Sequence, residues 1–237
     1  MTSEPANKHS ATVTALFVYP VKSMRGIALD QARLQSAGLQ HDRRFMVVSG
    51  DGRFVTQRDL HRLALVQTCL EEDGVLLSVS GQDSMLVPFE RTKGRRIQTA
   101  VWGEPCEAID QGDEISSWLG AALQPREELR LVGMAPGFRR PQSQPELLGE
   151  STYTHFADAA PFLVANQSSL DELNRVLTSR GHLPVPMDRF RPNIVIRGPG
   201  AFTEHGLSTL TGPEYRLRFH HPCQRCVVTT VDQQTAE

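Results

Sequence analysis

The sequence predicts a β-rich α+β fold, and three observations carry that reading. Short runs rich in apolar and β-branched residues recur through the first half of the chain, separated by Gly, Pro and Asp-Gly turn signals. Helical periodicity is confined to two windows, near residues 113–123 and 168–181. Near position 130 the mostly β pattern gives way to a mixed one, which divides the chain into residues 11–130 and 131–237 behind a disordered tail over residues 1–10.

The first run, "VTALFVYPVKS" (13–23), has the content of a buried strand closed by Pro20, which puts Lys22 and Ser23 at a strand end. "RRFMVVSGDGRFVTQR" (43–58) reads as a hairpin turning at Ser49 to Gly52, with Phe45, Val47 and Phe54 as core candidates. Turns at Glu71 to Gly74 and Gly81 to Ser84 divide 64–89 into further strands, and 95–110 adds two more. Many short strands at this spacing suggest a barrel or sandwich.

Asp113 is the expected cap of a helix whose Ile115, Trp118, Leu119 and Ala122 share a face. Ser169 and Glu172 form an expected capping box for a second helix, with Leu170, Leu173 and Leu177 as its stripe and Gly181 as its end. Between the helices, residues 133–161 are rich in Pro, Gly and Ser and long for a connection, the signature of a binding loop, a lid or a mobile segment. "RPNIVIRG" (191–198), "EYRLRFHH" (214–221) and "CVVTTVD" (226–232) read as strands.

Composition excludes several classes. A net charge of −2 from 25 basic and 27 acidic residues provides no nucleic-acid-binding excess. No window approaches the roughly 20 apolar residues of a membrane span, and no signal peptide is recognisable, so a cytoplasmic protein acting without nucleic acid or membrane is expected. Four cysteines are too few for a disulfide framework at this length. No G-x-G-x-x-G opens a helix after a strand, and the P-loop, G-x-S-x-G and H-E-x-x-H motifs are missing, which removes the anchors for nicotinamide, NTPase, α/β-hydrolase and zincin chemistry.

The concentration of chemistry lies in "HPCQRC" (221–226). Cys223 and Cys226 supply half of a structural zinc site, and the chain has no second Cys pair; of His220 and His221 only one can face the same side of a strand. A redox C-x-x-C should open a helix, whereas "VVTTV" reads as strand. The plain alternative is a buried structural cysteine near a strand end, the expectation for Cys223. Arg225 lies inside the motif, however, and "PVKSMRG", "HDRRF" and "DRFRPN" add basic residues at strand ends or loops. Singly each is a solvated surface; together they describe a pocket for an anion, in which a thiolate flanked by arginine suits a soft metal. In "RPN", Pro192 restricts Arg191 and makes a rigid corner able to present its guanidinium to a phosphate.

These residues in this order resemble a known family. "LFVYPVKSMRGIALDQARLQSAGLQHDRRFMVV" is similar to the N-terminal β-barrel region of MOSC-domain proteins, and "FADAAPFLVANQSSLDELN", "RFRPNIVI" and "PCQRCVVTTVD" resemble the MOSC domain, in the manner of the bacterial YcbX type and the mitochondrial amidoxime-reducing component. The resemblance implies an N-terminal β-barrel-like region packed against a MOSC β-barrel with a few helices. It implies a molybdenum cofactor bound through Cys226, held by Lys22, Ser23, Arg43, Arg191, Asn193 and Arg225, with Asp158 facing the metal. The implied reaction is reduction of small N-hydroxylated compounds such as hydroxylamines, amidoximes and N-hydroxylated bases.

Two departures accompany it. No ferredoxin cysteine spacing is present, so a separate electron-donor protein, ferredoxin- or flavin-reductase-like, is expected. Similar proteins continue past "TTVD" into closing strands of the barrel, so a C-terminally incomplete MOSC domain is expected here, and with it an inactive fragment as one outcome. The alternative function is a sulfur-carrier or pterin-binding module in which Cys226 holds a persulfide.

Overall fold

The computed structural model describes residues 10–91, 93–141, 146 and 152–237. The expected tail over 1–10 lies outside the described residues except for Ser10, as does part of the long segment 133–161.

Strands outnumber helices among the described residues. The first half runs β1 (Thr12–Val18), β2 (Ile27–Leu29), β3 (Leu34–Gln35), β4 (Gly38–Leu39), β5 (Phe45–Ser49), β6 (Gln67–Leu70), β7 (Gly74–Ser78), β8 (Met85–Pro88), β9 (Arg96–Val101), β10 (Glu104–Asp110), α1 (Asp113–Leu123) and β11 (Leu129–Met134). The second half runs β12 (Arg140–Pro141), β13 (Tyr153–Thr154), β14 (Val164–Asn166), α2 (Gln167–Ser179), β15 (Ile194–Arg197), β16 (Thr209–Thr211) and β17 (Arg216–Arg218). Position 130, where the sequence reading divides the chain, falls inside β11.

Two open, half-barrel sheets dominate, in the orders β5-β11-β10-β9 and β14-β15-β1-β2. In the first, strands β5 and β11 are buried on both faces, in keeping with the unbroken apolar run Phe45 to Val48. Phe45 and Val47 face a core with α1's Ile115, Trp118, Leu119 and Ala122 and with Val75, Leu77 and Val87 of the three-stranded β6-β7-β8 sheet. Met46 and Val48 face a second core with Val101, Cys106, Ala108, Val132 and Phe156, against which Phe54 packs half-buried. The expected hairpin at Ser49 to Gly52 forms, its second arm reduced to a bridge between Val48 and Phe54.

The second sheet ties the ends of the chain together. β1 pairs antiparallel with both β15 and β2, and β14 runs parallel to β15 through a crossover containing α2. The N-terminal strand is therefore built into the sheet of the C-terminal half.

Four expectations are corrected. Gly112 at φ 102, not Asp113, precedes α1; Asp113 is its first helical residue and pairs with Arg130 at 2.8 Å. The Ser169/Glu172 capping box does not form, because Asn166 caps α2 by accepting from the Ser168 amide, Ser169 Oγ donates to Glu204 and Glu172 pairs with Arg175. Residues 226–232 are not a strand: Val227–Thr230 is a 3₁₀ turn. Thr229 Oγ1 donates to the Cys226 carbonyl and Thr230 Oγ1 to that of Val227, and these local bonds favour a tight turn over a sheet ladder. Cys223 is exposed rather than packed in the core.

Candidate functional site

Where β1 ends, the backbone of Lys22 bonds to the Phe45 carbonyl at 2.8 Å, which anchors the turn to the doubly buried strand β5. The Lys22 side chain is only 7% exposed; its Nζ donates to the Phe156 carbonyl at 2.8 Å and pairs with Asp158. Burial lowers the basicity of Lys22, and the charge and hydrogen bond of Asp158 restore part of it. Burial alone would raise the Asp158 pKa, but the Lys22 charge with hydrogen bonds from Lys22 and Trp102 holds its carboxyl well below the usual range. Asp158 is therefore an ionised carboxylate, and its side chain remains 55% exposed.

A second cluster lies beside the first. Arg43 donates to Asp42 at 2.6 Å, to Asn193 Oδ1 at 2.9 Å and to the Arg191 carbonyl at 3.1 Å, while its own carbonyl accepts from the Phe156 amide at 2.9 Å. The Tyr19 ring carries the guanidinium of Arg43 at 4.3 Å and that of Arg191 at 4.4 Å from its centroid. Burial, the main cause, with the neighbouring Arg43, lowers Arg191 to about 10, and burial pushes the Tyr19 hydroxyl up to about 12. That hydroxyl is buried without a hydrogen-bond partner, and Tyr19 and Arg191 line a cavity of about 270 Å³ with Phe17, Arg25 and Asp188.

The thiol of Cys226 joins these clusters through residues that sequence reasoning missed. Arg58 Nη2 lies 3.0 Å from Cys226 Sγ, and its guanidinium sits 4.7 Å above the Trp102 ring. Trp102 Nε1 in turn donates to Asp158 Oδ1 at 3.0 Å. Arg58 carries no local motif that marks it. Trp102 carried a faint one: Trp-Gly occupies a two-residue hairpin turn, where Asn-Gly is the usual choice.

Backbone strain points to the same place. Among the described residues eight non-glycine positions have positive φ, and four of them, Ser23, Arg43, Trp102 and Arg191, surround this site. Each costs about 1–2 kcal/mol in the left-handed region, and such strain gathers where surrounding structure imposes a functional geometry.

Of the residues singled out from sequence, Lys22 with Asp158 and Arg43 with Arg191 and Asn193 are thus brought together, and Cys226 reaches Asp158 by way of Arg58 and Trp102. Ser23 is buried, its carbonyl accepting from Gln57 at 2.7 Å. Arg225 turns aside and stacks over Phe190 at 5.3 Å. Among the described residues no group of three His, Cys, Asp or Glu side chains could hold a metal ion. The cations Lys22, Arg43, Arg58 and Arg191 outnumber the carboxylates Asp42 and Asp158. An exposed thiol beside an excess of positive charge, buried at Lys22 and half-buried at the three arginines, with an unpartnered buried hydroxyl and a cavity, fits an anionic group that takes one sulfur ligand from the protein.

Comparison with known proteins agrees with this architecture. Residues 10–126 match the MOSC N-terminal beta barrel domain and residues 151–237 match the MOSC domain. The chain is 32% identical over 232 residues to mitochondrial amidoxime-reducing component 1 of Mus musculus, covering 94% of this chain and 66% of that protein. It is 31% identical to component 1 of Homo sapiens and 30% identical to component 2 of Bos taurus, in each case over 94% of this chain and 67% of the relative. The chain spans about two thirds of the length of these relatives.

Proposed function

Because the chain belongs to the MOSC family, we propose that it is a molybdenum-cofactor-dependent oxidoreductase that reduces small N-hydroxylated compounds with electrons from a separate redox protein. The relatives are named amidoxime-reducing components, which supports an oxidoreductase. The observation that carries the reading is the placement of the Cys226 thiol, 3.0 Å from the Arg58 guanidinium, near the ionised and half-exposed Asp158 carboxylate.

A bound molybdenum cofactor supplies the two-electron redox centre for breaking an N–O bond. Cys226 would give that cofactor its protein sulfur, and the Arg58 guanidinium, 3.0 Å from Sγ, would hold the side chain in place. Arg43 and Arg191 neutralise and orient its anionic portion, with Asn193 fixing Arg43. Asp158, fixed by Lys22 and Trp102, accepts a hydrogen bond from the N–H or O–H of the incoming substrate. Reduction of an N-hydroxylated compound takes up two electrons and two protons and releases water. A donor protein provides the electrons, and we place the reaction in the cytoplasm, in keeping with the free thiols of Cys69, Cys106, Cys223 and Cys226.

Protein made in a host that synthesises the cofactor should contain molybdenum and, with a chemical reductant, convert an amidoxime to its amidine. Cys226→Ala should lose both metal and turnover. Equal molybdenum in the two proteins overturns the assignment of Cys226, and metal-loaded wild type without turnover overturns the reaction.

A further inference from the structure

We propose that Trp102 is the wall of this site that selects N-hydroxylated substrates carrying an aromatic ring over those carrying an alkyl group. The inference rests on the reductase reading and names the substrate class within it. Trp102 tips the β9–β10 hairpin, with φ 54 followed by Gly103 at φ 89. A bulky residue is disfavoured there, and this one also leaves 52% of its surface in solvent. The tip has no folding need for an indole, since an Asn-Gly pair makes the same turn without strain.

The surroundings of the ring explain what the indole does. Its Nε1 donates to Asp158 Oδ1 at 3.0 Å, Arg58 stacks 4.7 Å from its centroid while reaching Cys226, and Phe54 meets it at 75° with centroids 5.2 Å apart. The ring is thereby held in one orientation beside both the thiol and the carboxylate of the site. Its uncovered surface is a fixed aromatic face next to the position where an N–O group must approach Asp158. An amidoxime carrying an aromatic ring or an N-hydroxylated base can lie against that face while its polar end meets the carboxylate; an alkyl chain gains little from it.

The test uses two amidoximes that differ only in the group on carbon, benzamidoxime and acetamidoxime. Trp102→Leu should slow both, because Asp158 loses a hydrogen bond, but the ratio of kcat/KM for the aryl over the alkyl substrate should fall by about tenfold, the upper range of one aromatic contact. Trp102→Phe should restore most of that ratio. An unchanged ratio in Trp102→Leu overturns the wall and leaves Trp102 as a support for Arg58. A second arm needs no turnover: Trp118→Phe leaves Trp102 as the single indole of the chain, and benzamidoxime but not acetamidoxime should quench its fluorescence. Equal quenching, or none, also overturns the wall. Selective quenching without turnover of either compound refutes the reductase reading alone.

Discussion

Asp158→Ala should destabilise the protein more than Lys22→Met, although each removes one partner of the same ion pair. The Lys22 side chain is 7% exposed and that of Asp158 is 55% exposed, so the two losses are unequal. Without Asp158 the ammonium is left enclosed with the Phe156 carbonyl as its acceptor and no countercharge. Breaking a fully enclosed pair in this way costs about 3–5 kcal/mol, and water entering on the Asp158 side brings the expectation to about 2–3 kcal/mol. Without Lys22 the burial cost of the ammonium disappears with it, and the carboxylate keeps Trp102 and its exposed half. What remains is the lost donor to the carbonyl of the fully buried Phe156, about 1 kcal/mol.

Urea unfolding followed by far-UV circular dichroism at neutral pH reads both variants, and the double mutant gives the coupling between the sites. Lys22→Met proving equal to or worse than Asp158→Ala would falsify the argument from unequal burial. Acid supplies an independent check. The folded-state pKa of Asp158 lies below its usual 3.8, so its contribution is fully present above that value and is lost as pH falls beneath it. The stability gap between wild type and Asp158→Asn should therefore narrow on acidification and stay constant above about pH 5.

Two further substitutions separate folding from site geometry. Arg130 donates to Asp110 Oδ2 through Nε at 3.0 Å and Nη2 at 2.5 Å, in side chains 10% and 3% exposed, while Asp110 keeps Arg95 at 3.5 Å and the Gly112 amide, so Arg130→Met should cost about 2–3 kcal/mol in urea unfolding, and a cost under about 1 kcal/mol would show that water or Arg95 already compensates Asp110. In Gly26→Ala the new Cβ overlaps the Tyr19 ring, which cannot swing away without displacing Arg43 and Arg191, so molybdenum content should fall while the fold loses only about 1–3 kcal/mol; full metal content would show that the stack plays no part in cofactor binding.

Much of the architecture was legible because it rests on local chemistry. The strands from Gln67 to Pro88 and the α1 face of Ile115, Trp118, Leu119 and Ala122 follow from turn residues and periodicity, which act over a few positions. The errors came where a distant side chain outbid the local signal. Glu204, 35 residues away, takes Ser169 from its capping box, and Arg130 engages Asp113. At 226–232 even the local signal was misread, since β-branched threonines chose backbone bonds of their own.

The sequence by itself determined the β-rich class, the hairpin turning at Ser49 to Gly52 with Phe45 and Val47 in the core, and the list of charged and thiol residues from which the site is made; the burial it implied for 13–23 fails in β1, where only Val18 is buried. Only the tertiary structure decided how they combine. Lys22 and Asp158 are 136 positions apart, Arg43 and Asn193 150, and Arg58 and Cys226 168. Contacts at such separations depend on where β1 enters the sheet of the C-terminal half and on a hairpin tip that carries Trp102 to Asp158. Neither periodicity nor spacing encodes those meetings, because side-chain chemistry states what a residue can bind, and packing alone states what it reaches.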